Sequence, residues 1–261
     1  CERNGTESMK ILYMGNNWIG WKIFEWLVQQ GEEIVGLVVH PPSKRKFVDE
    51  MLSEIHLPQD RVFDASTLQR PETRQAIASL QPDIALSMLF GYILRDEFIR
   101  LFPKGVINLH PSFLPYNRGQ YPNVWSILEG TPAGTTIHFI DAGIDTGDII
   151  AQKQVDIEPI DTGKTLYHKL ERASVELFRE TWPSIRSGNN PRWRQTGESG
   201  TFHRTKDVQK IDRIDLDKQY KARDLIDRIR ARTFAPYQGV FFEENGKRIY
   251  LRLELEYGED E

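Results

Sequence analysis

The chain has a single cysteine among its 261 residues, and it is residue 1. An intramolecular disulfide is therefore impossible, and a reducing cytoplasm is the simplest compartment. Long apolar runs are missing too. None approaches the roughly 20 residues of a bilayer span, so no membrane association is expected. The N-terminus lacks the basic and apolar segments of a secretory signal. Residues 1–8 are polar and the folded pattern begins at Met9, so we read 1–8 as a disordered, non-native extension. An excess of basic residues is also absent. The formal net charge of -4 argues against a nucleic-acid partner, because phosphate neutralisation needs a basic surface. Neither a spaced histidine pair nor a Gly-x-Ser-x-Gly elbow occurs, so metal sites and serine nucleophiles have little support.

What is present suits a globular α/β protein. Hydrophobic residues make up 39% and charged residues 28%, which is enough to bury a core. The length exceeds a usual single domain of roughly 100–200 residues, which points to a large domain plus a small appendage. Lys10–Gly15 reads as a buried strand, Trp18–Gln30 as a helix stopped by Gly31, and Ile34–Val39 as a second strand. This βαβ start predicts a Rossmann-like, mostly parallel sheet with helices on both faces. Helices are expected at Asp49–Ile55, Pro71–Leu80, Asp96–Leu101 and Asn123–Leu128. A long one is expected at Thr162–Ser187, with Thr162 as cap. Ile84–Phe90, Val106–Leu109, Thr135–Ile140 and Ile149–Val155 read as strands. Composition marks 191–213 as a linker between a domain at 9–190 and a subdomain at 214–261. That subdomain has a charged helix, Lys218–Arg230, then a hairpin turning at Asn245-Gly246, with its last strand running to Leu255. Glu259-Asp260-Glu261 reads as a frayed tail.

The chemistry concentrates between Gly105 and Asp148. Asn108 and His110 are two apart on a strand, so their side chains share a face. Asp145 lies in a Gly-rich loop after the next strand. An amide, an imidazole and a carboxylate near strand ends suit acyl transfer: the amide steadies an oxyanion, the imidazole moves protons and the carboxylate orients the imidazole. Ser112 stays open as a nucleophile, and His110, Asp145 and Asp148 as a weak metal set. The turn Gly15-Asn16-Asn17-Trp18-Ile19-Gly20 is half a dinucleotide fingerprint. It reads either as a tight turn or as an anion contact at a helix N-terminus. Met88 to Leu94 follows a strand's carboxyl end, where ligands of open sheets bind. Core packing explains its apolar residues equally well.

Asn108-Leu109-His110-Pro111-Ser112-x-Leu114-Pro115, then Asn117-Arg118-Gly119, then Asp145-Thr146-Gly147-Asp148-Ile149 together resemble the 10-formyltetrahydrofolate-dependent formyltransferase family, over roughly Met9 to Ser187. The resemblance implies a catalytic set of Asn108, His110 and Asp145, with 10-formyltetrahydrofolate as co-substrate and no metal. It implies a pterin pocket at Met88, Leu89, Phe90, Gly91, Tyr92, Ile93 and Leu94, and at Phe139, Ile140, Asp141 and Gly143. The loop from Pro115 to Ile127 and the piece around Phe234-Ala235-Pro236-Tyr237-Gln238-Gly239 are similar to the sugar N-formyltransferase branch. That branch implies a nucleotide-linked amino-deoxysugar as acceptor, with a lean to dTDP-4-amino-4,6-dideoxyglucose and surface polysaccharide synthesis. Its acceptor contacts would fall on Asn16, Asn17, Trp18, Tyr116, Asn117, Arg118, Gly119 and Tyr121. It also implies a homodimer built through the C-terminal hairpin. Alternatives within the resemblance are a methionyl-tRNA or glycinamide ribonucleotide type of formyltransferase, or a formyltetrahydrofolate hydrolase. Outside enzymes, a folate- or nucleotide-sugar-binding regulator stays open.

Overall fold

The computed structural model describes residues 8–195 and 200–258. Residues 1–7 of the expected extension, 196–199 of the expected linker and the tail Glu259-Asp260-Glu261 lie outside the described residues. In chain order the elements are β1 (Lys10–Gly15), α1 (Asn17–Gln29), β2 (Glu33–Val39), α2 (Val48–Glu54), β3 (Val62–Asp64), α3 (Pro71–Ser79), β4 (Ile84–Met88), α4 (Asp96–Ile99) and β5 (Val106–His110). There follow β6 (Arg118–Gly119), α5 (Pro122–Glu129), β7 (Ala133–Phe139), β8 (Ile149–Val155) and α6 (Gly163–Ser187). The chain continues through β9 (Phe202–His203), α7 (Asp207–Asp212), α8 (Ala222–Arg232), β10 (Phe241–Glu244) and β11 (Lys247–Tyr250). The chain divides into two compact units, one of residues 1–110, 137–151 and 174–195, the other of 111–136, 152–173 and 196–261.

The sheet has seven strands in the order β3-β2-β1-β4-β5-β7-β8, and the pairings among β1 to β5 are parallel. Side-chain alternation along these strands feeds two cores in the first unit. Ile11 and Tyr13 of β1 join Leu86 and Met88 of β4 under Ile19, Ile23 and Leu27 of α1 and Phe178 of α6. Leu12 and Met14 join Ala85 under Ile77 of α3 and Phe98 of α4. Both faces are thus covered, which is why these strands read as continuous apolar runs. Glu32 is buried in this unit with its carboxylate accepting from Trp182 Nε1 at 2.8 Å and facing Arg186.

The second unit packs Val124, Trp125 and Ile127 of α5 against Leu166 and Leu170 of α6 and Ala231 of α8. Thr162 Oγ1 accepts from the Thr165 amide at 3.3 Å, so the expected cap of α6 forms. The stretch expected to be an irregular linker carries β9 and α7, both too short to announce themselves by periodicity. Asn245 and Gly246 have φ of 51° and 73°, as the tight hairpin turn requires. β11 ends at Tyr250 rather than Leu255. Beyond it, the Leu251 amide donates to the Val240 carbonyl, and Leu251 and Leu253 pack on Ile214, Ile229 and Val240 of their own unit.

Candidate active site

β5 is both a core strand and the carrier of polar side chains. Ile107 and Leu109 enter the core beneath α1, while Val106 enters the core beneath α3 and α4. Asn108 and His110 continue the face of Val106 past its apolar part. In the neighbouring strand β4, Ser87 stands in register with Asn108. On β7, Ile137 enters the core beneath α1, and His138 is turned the other way. Sequence reading missed His138. The alternation of Thr136 and His138 beside that of Asn108 and His110 is the signal that locates it.

Polar contacts join these residues. Ser87 Oγ donates to Asn108 Oδ1 at 3.0 Å, and Asn108 Nδ2 lies 3.0 Å from His138 Nε2. Asp145 spans two imidazoles: its Oδ2 is 3.7 Å from His110 Nε2 and its Oδ1 is 3.6 Å from His138 Nε2. These are ion-pair separations, longer than a good hydrogen bond. The His110 and Asp145 side chains are 9% and 14% exposed. They are shielded enough to strengthen their electrostatic coupling, yet still reachable.

The loop carrying Asp145 is tied at several points. Asp145 has φ of 54°, in the left-handed region. Asp141 Oδ1 accepts from the Gly143 amide at 3.0 Å and from Thr146 Oγ1 at 2.6 Å. A Cβ on Gly147 would run into the Phe139 carbonyl oxygen, so only glycine fits there. From outside the loop, Gln195 Nε2 donates to the carbonyls of Asp145 at 2.9 Å and Gly147 at 2.8 Å. Arg192 Nε donates to Asp148 Oδ2 at 2.7 Å, and its guanidinium lies 4.4 Å over the Phe139 ring. Trp193 and Ile149 exchange a pair of backbone hydrogen bonds. The segment 192–195 is thus a strap across the loop's two ends.

The other expected site residues divide by environment. Met88, Phe90 and Leu94 are buried in the cores, whereas Gly91 and Ile93 are exposed and Leu89 and Tyr92 partly so. Phe139 lies beneath Arg192 and Ile140 packs on the core beneath α3 and α4. Asn16 is buried, with Nδ2 at 3.3 Å from His40 Nδ1 and Oδ1 accepting from the Lys46 amide at 2.8 Å. Its side chain joins the His40 group, not the His110 group. Asn17 opens α1 with φ of 62°, and Trp18 packs against the core. In the second unit Asn117 is fully buried. Its Nδ2 donates to Ser126 Oγ and Thr131 Oγ1, at 2.9 and 2.8 Å. Arg118 and Gly119 form β6, paired with β9, and Gly119 (φ 88°) has the His203 carbonyl where a Cβ would stand. Tyr116 is partly buried and Tyr121 is exposed.

The arrangement offers an amide N–H, an imidazole aligned with it two residues on, and a carboxylate between two imidazoles. Such a set can stabilise an oxyanion and relay a proton beside it. Ser112 Oγ is buried and has no hydrogen-bond partner among the described residues, so no base stands ready to activate it as a nucleophile. Among the described residues no group of three or more His, Cys, Asp or Glu could hold a metal ion. No helix among them is long and apolar enough to cross a membrane.

Residues 29–181 match the family described as Formyl transferase, and residues 207–257 match the N-formyltransferase dimerization C-terminal domain. The chain is 32% identical over 251 residues to the methionyl-tRNA formyltransferase of Symbiobacterium thermophilum, covering 94% of this chain and 75% of that protein. Among solved structures, a 4-N formyltransferase from Francisella tularensis aligns with a TM-score of 0.83 at 27% identity, over 96% of this chain and 99% of that one. The formyltransferase PseJ from Anoxybacillus kamchatkensis was solved in complex with UDP-4,6-dideoxy-4-formamido-L-AltNAc and tetrahydrofolate. It aligns with a TM-score of 0.55 at 31% identity, over 77% of this chain and 88% of that one.

Proposed function

Since the chain belongs to the formyl transferase family, we propose that it carries a formyl group from 10-formyltetrahydrofolate to the amine of a nucleotide-linked amino-dideoxysugar. The observation that carries this reading is the Asn108–His110–Asp145 group on the end of β5 and its facing loop. The neutral sugar amine attacks the formyl carbon, forming a C–N bond and a tetrahedral oxyanion. Asn108 Nδ2 donates to that oxyanion, and His110 does so once it is protonated. His110 accepts the amine's proton, Asp145 supports the charged imidazole, and the proton passes to the folate nitrogen as the old C–N bond breaks. Met88 to Leu94 and Phe139 to Gly143 form the folate side of the site in this reading. Asn16 to Trp18, at the start of α1 in the same unit, serve the acceptor.

The acceptor we favour is a nucleoside-diphosphate-linked 4-amino-4,6-dideoxyhexose, dTDP-4-amino-4,6-dideoxyglucose first, made in the cytoplasm for surface polysaccharide. The likeness to a 4-N formyltransferase and to a protein holding a 4-formamido sugar supports position 4. The UDP of the latter supports a uridine nucleotide as second choice. A methionyl-tRNA acceptor is favoured by the identity to the Symbiobacterium enzyme. Against it stand the net charge of -4 and the C-terminal match to an N-formyltransferase dimerization domain.

The test is turnover of 10-formyltetrahydrofolate against a panel of dTDP-, UDP- and GDP-linked 3- and 4-amino sugars, methionyl-tRNA and glycinamide ribonucleotide. We expect tetrahydrofolate release only with a 4-amino sugar, together with a formamido product by mass spectrometry. Release at the same rate without any amine would make the protein a hydrolase. Formylation of methionyl-tRNA alone would establish the second reading.

A further inference from the structure

Asn108 can serve an oxyanion only through its NH₂ end, and nothing in an isolated strand decides which end of that amide points where. Three contacts in the first unit decide it. His138 Nδ1 lies 2.8 Å from the Phe139 carbonyl, which can only accept. A neutral His138 ring therefore carries its proton on Nδ1 and leaves Nε2 bare. Bare Nε2 is an acceptor, and it lies 3.0 Å from the amide of Asn108. Only the NH₂ end can meet it. At the other end, Ser87 Oγ donates to Asn108 Oδ1 at 3.0 Å. The donors and acceptors run in one direction: Ser87 hydroxyl to Asn108 carbonyl, Asn108 amino to His138 Nε2, His138 Nδ1–H to the Phe139 carbonyl. Each buried polar atom in this series is satisfied, and reversing the amide would set its carbonyl against the bare Nε2.

We propose that Ser87 and His138 are positioning residues that fix the amide of Asn108, so that the second N–H of its NH₂ group is aimed at the developing oxyanion. Both are buried, at 4% and 1% exposure, and His138 is held against the one carbonyl, that of Phe139, whose residue also lies under the Arg192 guanidinium. The tautomer is thus set by backbone geometry. Asp145 Oδ1, 3.6 Å from His138 Nε2, faces the same bare nitrogen. At 3.6 Å that separation is longer than a good hydrogen bond, whereas the Asn108 amide at 3.0 Å is within hydrogen-bond reach of the same nitrogen. Neither residue touches the reacting atoms; both act through Asn108. The catalytic consequence rests on the formyl-transfer reading, whereas the hydrogen-bond direction does not.

Two measurements test the two parts. Long-range ¹H–¹⁵N spectra of the intact protein, with His138→Gln used to assign the signal, report which ring nitrogen holds the proton. We expect Nδ1–H with unprotonated Nε2, the less common form of a free imidazole. A proton on Nε2, alone or with Nδ1, overturns the proposal whatever the activity. In formyl-transfer kinetics, His138→Leu, which has no acceptor, is expected to lower kcat by roughly 30-fold with KM for both substrates within about twofold, as for a misdirected oxyanion donor. His138→Gln places an amide oxygen near the position of Nε2 and should recover kcat to within about fivefold of the parent. Ser87→Ala should lower kcat by about tenfold, and Ser87→Thr should restore it. Equal losses in the Leu and Gln variants, or losses confined to KM, would show packing alone and overturn the positioning role. Absence of transfer by the parent with every acceptor overturns the proposed function, and the spectra then decide the amide direction separately.

Discussion

Asp145 stands between His110 and His138 with one carboxylate oxygen toward each, and this division of labour gives the first prediction. Replacing His110 by alanine removes the proton carrier, so kcat should fall by about 10²–10⁴, the usual range for a general acid or base. Asp145→Ala should fall into the same range. Nucleotide-sugar affinity by calorimetry should stay within a few-fold in both. Wild-type turnover in either variant would refute the assignment. A second prediction concerns His40, whose ring packs against Phe90 and Tyr92 with Nε2 on the Phe90 carbonyl and Nδ1 on Asn16. Burial pushes its imidazole below the ordinary 6.5. Lys44 adds to the fall, and the carbonyls of Phe90 and Lys44 and the carboxylate of Asp64 oppose it. The unfolded chain therefore takes up this proton first as pH falls. The His40 contribution to stability is complete above the ordinary value, declines below it and is lost once pH passes the lowered folded value. Thermal midpoints between about pH 7.5 and about 5.5 should fall more steeply for the parent than for His40→Gln. A parallel pair of curves would exclude the effect. Residues of this kind were only half legible. Asn108 and His110 stand out because they alternate on one strand. His40 and His138 acquire meaning only from carbonyls that the fold brings to them.

At the scale of elements, the loop 140–148 and the strap 192–195 act as one piece. Gln195 supplies two hydrogen bonds to loop carbonyls, each worth about 0.5–1.5 kcal/mol. Gln195→Ala should keep the fold, lower Tm by only a few degrees and lower kcat by roughly tenfold, since small displacements of a catalytic group are costly. Faster amide exchange across 140–148 should accompany the loss. An unchanged kcat with faster exchange would show that Asp145 tolerates a loose loop. The loop's glycines were legible as turn signals; the strap was not. Polar composition made 191–213 read as a linker, and 50 positions separate Gln195 from Asp145, so no local pattern connects them. β3, β6 and β9 escaped for a related reason: two or three residues are too few to show a period.

For the whole molecule, the alternation of strands and helices announced an α/β sheet, but not the strand order, which depends on pairing between segments distant in sequence. The hairpin was announced by Asn245-Gly246, and its length was overstated because Leu251 and Leu253 alternate like strand residues while serving their own core. What the hairpin region leaves outward is Tyr237, Ile249, Tyr250 and Tyr257. Together with the match of 207–257 to a dimerization domain, this supports a homodimer formed there. Sedimentation should show a dimer at micromolar concentration, converted to monomer by the double substitution Ile249→Glu and Tyr250→Glu. A dimer that survives it would place the interface elsewhere. The strap also bears on exchanging parts between relatives. The family match ends at residue 181 and the long helix at Ser187, which makes the helix end an inviting crossover for chimeras. A graft cut there would transplant Asn108, His110 and Asp145 while leaving behind Arg192 and Gln195, which hold the Asp145 loop. Recombination that preserves the parent's rate has to join the pieces after Gln195.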